Sequence, residues 1–197
     1  PTMPPQPAAQ ARISPAPQKS LPKEPLDNPK PSTLDDNLDE ADCFTHQYTG
    51  VAFCFPKNWK NDRPDLQGVI ANLDLDQEDV AALVRFGRTS AEKDTDAAML
   101  ATDLGELREM YGKRAADPET VRVGEKVGYR IRIAGPLWLH PNKNLDQVNY
   151  YFYVDSVKLP AHQKVLEGKY TVSVSITAEK EKLDRGDELL HCLRWRQ

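Results

Sequence analysis

The apolar and polar positions of the chain change period several times, and each change marks an element. The first clear pattern is "CFTHQYTGVAFCFPKNW", Cys43 to Trp59. It reads as two short strands meeting at Thr49-Gly50, with Gly supplying the positive φ of a tight turn. A two-residue loop sets Tyr48 opposite Val51, His46 opposite Phe53 and Phe44 opposite Phe55. These six then share a core face. Cys43, Thr45, Gln47, Ala52 and Cys54 take the other face. Thr-Gly is not the favoured pair for such a turn, which leaves a bulged loop open. Pro56 ends the second strand because it cannot donate to a ladder. Trp59, just past that end, is expected to cap the open edge of the core.

Further along, "GVIANLDLD" (Gly68 to Asp76) and "VAALVRFGR" (Val80 to Arg88) read as strands, the second with Ala82, Val84 and Phe86 on one side. The period then turns helical in "DTDAAMLATDLGELREMYG", where Leu100, Leu104, Leu107 and Tyr111 recur on one stripe. Asp94, Thr95 or Asp96 suits its start and Gly112 its end. "VRVGEKVGYRIRIAG" is a second hairpin turning at Gly124. "VNYYFYVDSV" and "YTVSVSIT" carry the strongest strand signals. In the latter, Tyr170, Val172, Val174 and Ile176 face one way and Thr171, Ser173, Ser175 and Thr177 the other. "EKEKLDRGDELLHCLRW" is expected to be helical, with Leu183, Leu190 and Leu193 on one stripe. Hairpins demand antiparallel pairing, so the fold class is α+β rather than a doubly wound parallel sheet.

Composition divides the chain of 197 residues in two. Residues 1–40 hold most of the 16 prolines and almost no large apolar side chains. They are expected to form a disordered, proline-rich linker, since proline breaks both helix and sheet and little apolar surface offsets the ordering entropy. Residues 41–197 are expected to fold as a single α+β domain. The chain opens "PTMPPQPAAQ" without an initiator Met, which fits removal of a signal peptide or lipoprotein signal. A formal net charge of -4 and the lack of a basic stripe argue against a nucleic-acid partner. No apolar run has the length of a membrane-spanning helix, so any membrane association is expected to be tethering through the N-terminal linker.

The run "YTGVAFCFPKNW" resembles the opening hairpin of the PsbP-like superfamily, whose pattern is Tyr-x-Gly-apolar-x-Phe-x-Phe-Pro-x-x-Trp. The superfamily includes extrinsic photosystem II subunits, a Ran-binding nuclear transport factor and bacterial DcrB-type lipoproteins. The helix before a long loop, the strand pair "VGEKVGYRIRI" and "YTVSVSIT" followed by a last helix support the likeness over Phe44 to Trp195. The resemblance implies an antiparallel β-sheet flanked by helices on both faces, an α/β/α sandwich. It also implies an accessory or binding protein without family-wide catalytic residues. The long polar insertions of the plant photosystem subunit are not evident, which argues against a photosynthetic role.

Candidate chemistry is sparse. No P-loop, dinucleotide fingerprint, nucleophile elbow or H-E-x-x-H motif occurs, and no cofactor is expected. Cys43, Cys54 and Cys192 form no C-x-x-C pair, which argues against a structural zinc. In the two-residue register Cys43 and Cys54 sit diagonally, about 7 Å apart, near the limit for a disulfide. Cys192 on the last helix is a third candidate for a bridge, and three buried thiols remain the alternative. Asp74 and Asp76 share a strand side and offer oxygen ligands, but without a calcium-loop glycine or terminal Glu. "PLWLHPNKN" (Pro136 to Asn144) places Trp138 and His140 in a loop, with Tyr151 and Tyr153 in the next strand. These four are a candidate contact surface, against the alternative of a loop folded back over the sheet. The expected function is a non-catalytic, extracytoplasmic accessory or binding domain, in a bacterial periplasm or as a membrane-anchored lipoprotein, acting on a protein partner. A small-ligand or metal-ion binding protein is the alternative.

Overall fold

The computed structural model describes residues 38–62, 69–75, 79–88, 95–138 and 140–195. The linker expected over residues 1–40 lies outside these up to residue 37. The first strand, β1, is Leu38–Thr45, so it begins three residues before the expected domain start.

Two antiparallel sheets form the fold. The smaller contains β1, β2 (Ala52–Pro56) and β10 (Leu193–Arg194), in the order β1-β2-β10. The larger contains β3 (Lys60–Asp62), β4 (Val69–Leu75), β5 (Val80–Gly87), β6 (Glu119–Val123), β7 (Lys126–Ile133), β8 (Asp146–Asp155) and β9 (Lys169–Ala178). Its order is β3-β4-β5-β9-β8-β7-β6, which puts β9 at the centre.

Val51, Phe53 and Phe55 of the opening hairpin are buried as expected, but Phe44 is 37 % exposed at the rim against Phe86, Cys54 of the opposite face is also buried, and the register differs. Phe44 pairs with Phe53 and Cys43 with Cys54, two places from the two-residue-loop pairing. The loop is longer: His46 N–H donates to the Val51 carbonyl at 2.8 Å, and Gly50 N–H returns to the His46 carbonyl at 2.8 Å. A tight two-residue turn wants positive φ at positions that β-branched Thr49 resists, so only Gly50 takes it, at φ 70°. The Thr49 side chain instead fastens the loop, accepting from Val51 N–H at 3.3 Å. Because side chains alternate with period two, a shift of two places keeps every residue on its face. It also brings the two cysteines directly opposite each other.

One face of the large sheet carries the main core. Val80, Ala82, Val84 and Phe86 of β5, Val148, Tyr150, Phe152 and Val154 of β8, and Tyr170, Val172, Val174 and Ile176 of β9 are all buried there. The small sheet covers them with Phe53 and Phe55, and the last helical segment with Leu183, Leu189, Leu190 and Cys192. Each such large side chain contributes about 1.5–3 kcal/mol on burial. Trp59 is buried in this cluster, and its Nε1–H donates to Glu188 Oε1 at 3.2 Å. The indole therefore ties the end of β2 to the last helical segment.

That segment, Lys180–Cys192, is a 3-10 helix rather than an α-helix. Of its five buried positions, Leu183, Gly186, Leu189 and Cys192 recur every third residue, as side chains eclipsed at i and i+3 do, and Leu190, on the expected stripe with Leu183, is buried beside them. Leu193 is not on the helical stripe; it lies in β10 opposite Phe53. The helix also approaches the sheet closely at Gly186, where a Cβ would lie 2.4 Å from Cγ2 of Ile176.

The other face is covered by the α-helix α1, Asp96–Tyr111, whose start is capped by Thr95 accepting from Ala98 N–H. Met99, Leu100, Leu107 and Tyr111 pack on Ile131, Ile133 and Tyr153. Helical cover on both faces of an antiparallel sheet is the architecture expected from the sequence. The second sheet is the addition.

Candidate functional site

The helix α1 does not sit over the middle of the sheet. Its apolar stripe follows Ile131, Ile133 and Tyr153, on β7 and β8. The central strand β9 presents Thr171, Ser173, Ser175 and Thr177 to the same side, beside Leu83 and Arg85 of β5 and Asn149 and Tyr151 of β8. Between α1 and this hydroxyl column runs a groove of about 500 Å³. Its floor includes Ser175, Thr177, Asn149 and Tyr151, and its helical wall Asp103, Glu106, Leu107 and Met110. Past Arg85 and Tyr151 it continues into a second hollow of about 230 Å³ that reaches Ser173 and Thr171.

The polar groups of the groove are not equally satisfied. Tyr153 O–H donates to Asp103 Oδ2 at 2.6 Å, holding helix to sheet. Burial pushes the Tyr151 phenol well above its ordinary value, and Asp103 and Glu106 push it further, so the hydroxyl stays protonated. Asn149 is 1 % exposed. Its Oδ1 accepts from Gln147 Nε2 at 2.7 Å, but its Nδ2 has no hydrogen-bond partner among the described residues.

The loop after β7 stands at one end of this groove. Leu137 is buried in the α1 cluster, whereas Trp138 beside it is 72 % exposed. Several contacts hold the loop. The Gly135–Pro136 peptide is cis, Gly135 N–H donates to Asp146 Oδ1 at 2.9 Å, and the Arg114 guanidinium donates to the Pro136 carbonyl. Leu137 and His140 form an isolated antiparallel bridge.

The four residues of the expected contact surface are thus separated. Trp138 and His140 are exposed, and His140 lines the groove together with Tyr151. Tyr153 does not extend a surface patch: it is 5 % exposed and lies under α1, because the helix stripe needs an apolar seat on β8. Cys43 and Cys54 are joined by a disulfide with Cα atoms 4.0 Å apart, not the diagonal spacing of the two-residue register. Cys192 is a free, buried thiol whose pKa burial pushes up to about 12. Asp74 lies in β4, while Asp76 falls outside the described residues. Among the described residues no three His, Cys, Asp or Glu side chains gather as a metal site, and no helix is long and apolar enough to cross a membrane.

Asn149, Asp103 and the β9 hydroxyls were not singled out by the sequence. The alternation in "YTVSVSIT" signals two unlike faces, but not that this strand is central or that a helix stands beside it.

No protein-family model matches the chain, and no curated protein matches it significantly. Among solved structures, the chain is similar to LpqN of Mycobacterium tuberculosis, described as involved in cell envelope biogenesis. That match has 11% identity and a TM-score of 0.52, covering 76% of this chain and 86% of that one. Cyanobacterial PsbP from Synechocystis matches at 10% identity and a TM-score of 0.48, over 79% of this chain and 92% of that one. The Saccharomyces cerevisiae Ran-binding protein Mog1p matches at 14% identity and a TM-score of 0.41, over 72% and 81%. Of these, the LpqN match shows a shared fold; an identity this low speaks to the fold alone.

Proposed function

We propose that this is a non-catalytic, extracytoplasmic accessory domain, carried on a proline-rich tether and acting through contact with a protein partner. The observation that carries the reading is Trp138, an indole 72 % exposed beside a neighbour, Leu137, that is 2 % exposed. An aromatic ring displayed from an anchored loop is a typical interface hot spot, since little ordering entropy remains to be lost on contact. The Cys43–Cys54 disulfide supports an oxidising compartment. The setting agrees with the description of LpqN, which shares the fold. Two buried or half-buried carboxylates, Asp103 and Asp187, each accept from a tyrosine hydroxyl, Tyr153 and Tyr150. They serve helix-to-sheet packing in this reading and not acid–base chemistry.

The test is site-specific photo-crosslinking in the native host, with the crosslinker at Lys143 in the full chain. A discrete protein adduct is expected. Trp138→Ala is expected to weaken the contact by about 2 kcal/mol, roughly thirtyfold in affinity. A missing adduct, or one indifferent to Trp138, refutes the contact. Protease protection in intact cells that persists after the outer envelope is opened refutes the location.

A further inference from the structure

We infer that the groove between α1 and β9 is a binding site for a short neutral oligosaccharide. This goes beyond the protein contact proposed at Trp138 and does not depend on it. An antiparallel sheet packs one face on the core and can leave the other open to solvent, and α1 covers only part of that open face. On the uncovered part β9 turns Ser173, Ser175 and Thr177 into a groove bounded by the helix on one side. A floor of hydroxyls two residues apart both donates and accepts, which suits a ligand that does the same.

The second observation is the Asn149 amide. A buried N–H without an acceptor costs about 1–3 kcal/mol, and native structures rarely leave one without a reason. Asn149 lines the groove with its Nδ2 just beneath the surface, so a ligand oxygen that displaces the side chains over it would supply the missing acceptor. The opposite wall is apolar at Leu107 and Met110. A pyranose ring has this same division, with hydroxyl and ring oxygens on its rim and C–H groups on its faces.

Charge selects against anions. Among the described residues, the groove and its continuation are lined by two guanidiniums, Arg85 and Arg88, and two carboxylates, Asp103 and Glu106, so a phosphate or uronate meets no net positive field. About 500 Å³ lies in the usual range for ligand clefts, and the continuation past Arg85 lets a linear chain run on along β9.

The experiment follows the Asn149 side-chain amide and the Ser175 and Thr177 backbone amides by ¹H–¹⁵N NMR on the full chain. The probes are cellobiose, maltose, lactose and N,N′-diacetylchitobiose at millimolar concentration, with inorganic phosphate and galacturonic acid as anionic competitors. At least one neutral sugar is expected to shift all three signals. Asn149→Leu is expected to weaken that sugar at least tenfold while the melting temperature holds or rises, because it removes an unpaired buried donor. Ser175→Ala, a smaller change on the floor, is expected to weaken binding severalfold. Shifts from no neutral sugar, a preference for the anions, or binding indifferent to both variants overturns the inference. A Trp138-dependent adduct without sugar binding leaves the protein-contact reading standing; sugar binding without the adduct does the reverse.

Discussion

Replacing both Cys43 and Cys54 by Ala opens the bridge that clamps the first hairpin. The bridge joins residues 11 apart in sequence. Closing a loop of that length in the unfolded chain removes about 9 cal/mol/K of entropy, which is about 3 kcal/mol of stability at 25 °C. For a domain of this size each 1 kcal/mol moves the melting temperature by about 2–4 °C. The double variant should therefore melt roughly 6–12 °C lower than the oxidised parent. The strand at stake is exposed to this loss because, among the described residues, β1 is an edge strand paired with β2 alone. The assay is urea and thermal unfolding of the parent with and without reductant, beside the double variant. Reduced parent and variant should coincide, and reductant should not affect the variant. A difference under about 1 kcal/mol between oxidised and reduced parent would refute the reasoning, since hairpin contacts in the unfolded ensemble would then already close the loop.

Gly186→Ala should destabilise by about 1–3 kcal/mol, because the added methyl would clash with Ile176 Cγ2, Cδ1 and Cγ1 in a close-packed core; a thermal melt reads it, and in an Ile176→Ala background, which lacks all three atoms, the same change should cost less. Thr95→Ala removes the side-chain acceptor at the start of α1 and should cost about 1 kcal/mol in urea unfolding. Burial holds the His46 imidazole below its ordinary 6.5, so the unfolded chain binds that proton more tightly. Its contribution is present above pH 6.5 and is lost as pH falls toward the lower folded value; His46→Phe should flatten that part of the stability profile, while an unchanged slope would assign it to other groups. Cys192, a buried thiol with its pKa near 12, should react with iodoacetamide at pH 8 only as fast as the domain unfolds.

Much of the local structure was legible because it depends on near neighbours. The faces of the hairpin, the Thr95 cap, the Gly112 stop and the alternation of β9 follow from side-chain period and backbone preference. The hairpin register did not follow: a displacement of two places preserves the whole polar-apolar pattern and differs only in loop conformation. The last helix was legible as a helix but not as a 3-10 one. Gly186 seats closely against Ile176, a contact between distant parts of the chain that no local pattern announces.

The candidate sites divide in the same way. That Trp138 sits in a loop beside strands was visible in "PLWLHPNKN"; that Leu137 is drawn inward while Trp138 stays out depends on the α1 cluster that receives Leu137. Tyr151 and Tyr153 look alike in sequence, yet one lines a groove and the other lies under a helix. The chain by itself determined the elements and their two-sidedness, because period, caps and turns act over a few residues. Only the tertiary structure decided that β9 is central, that α1 stands aside from it, and that Asn149 is left with an unpaired amide. Strand order and helix placement come from the packing of the whole core, which no short stretch encodes.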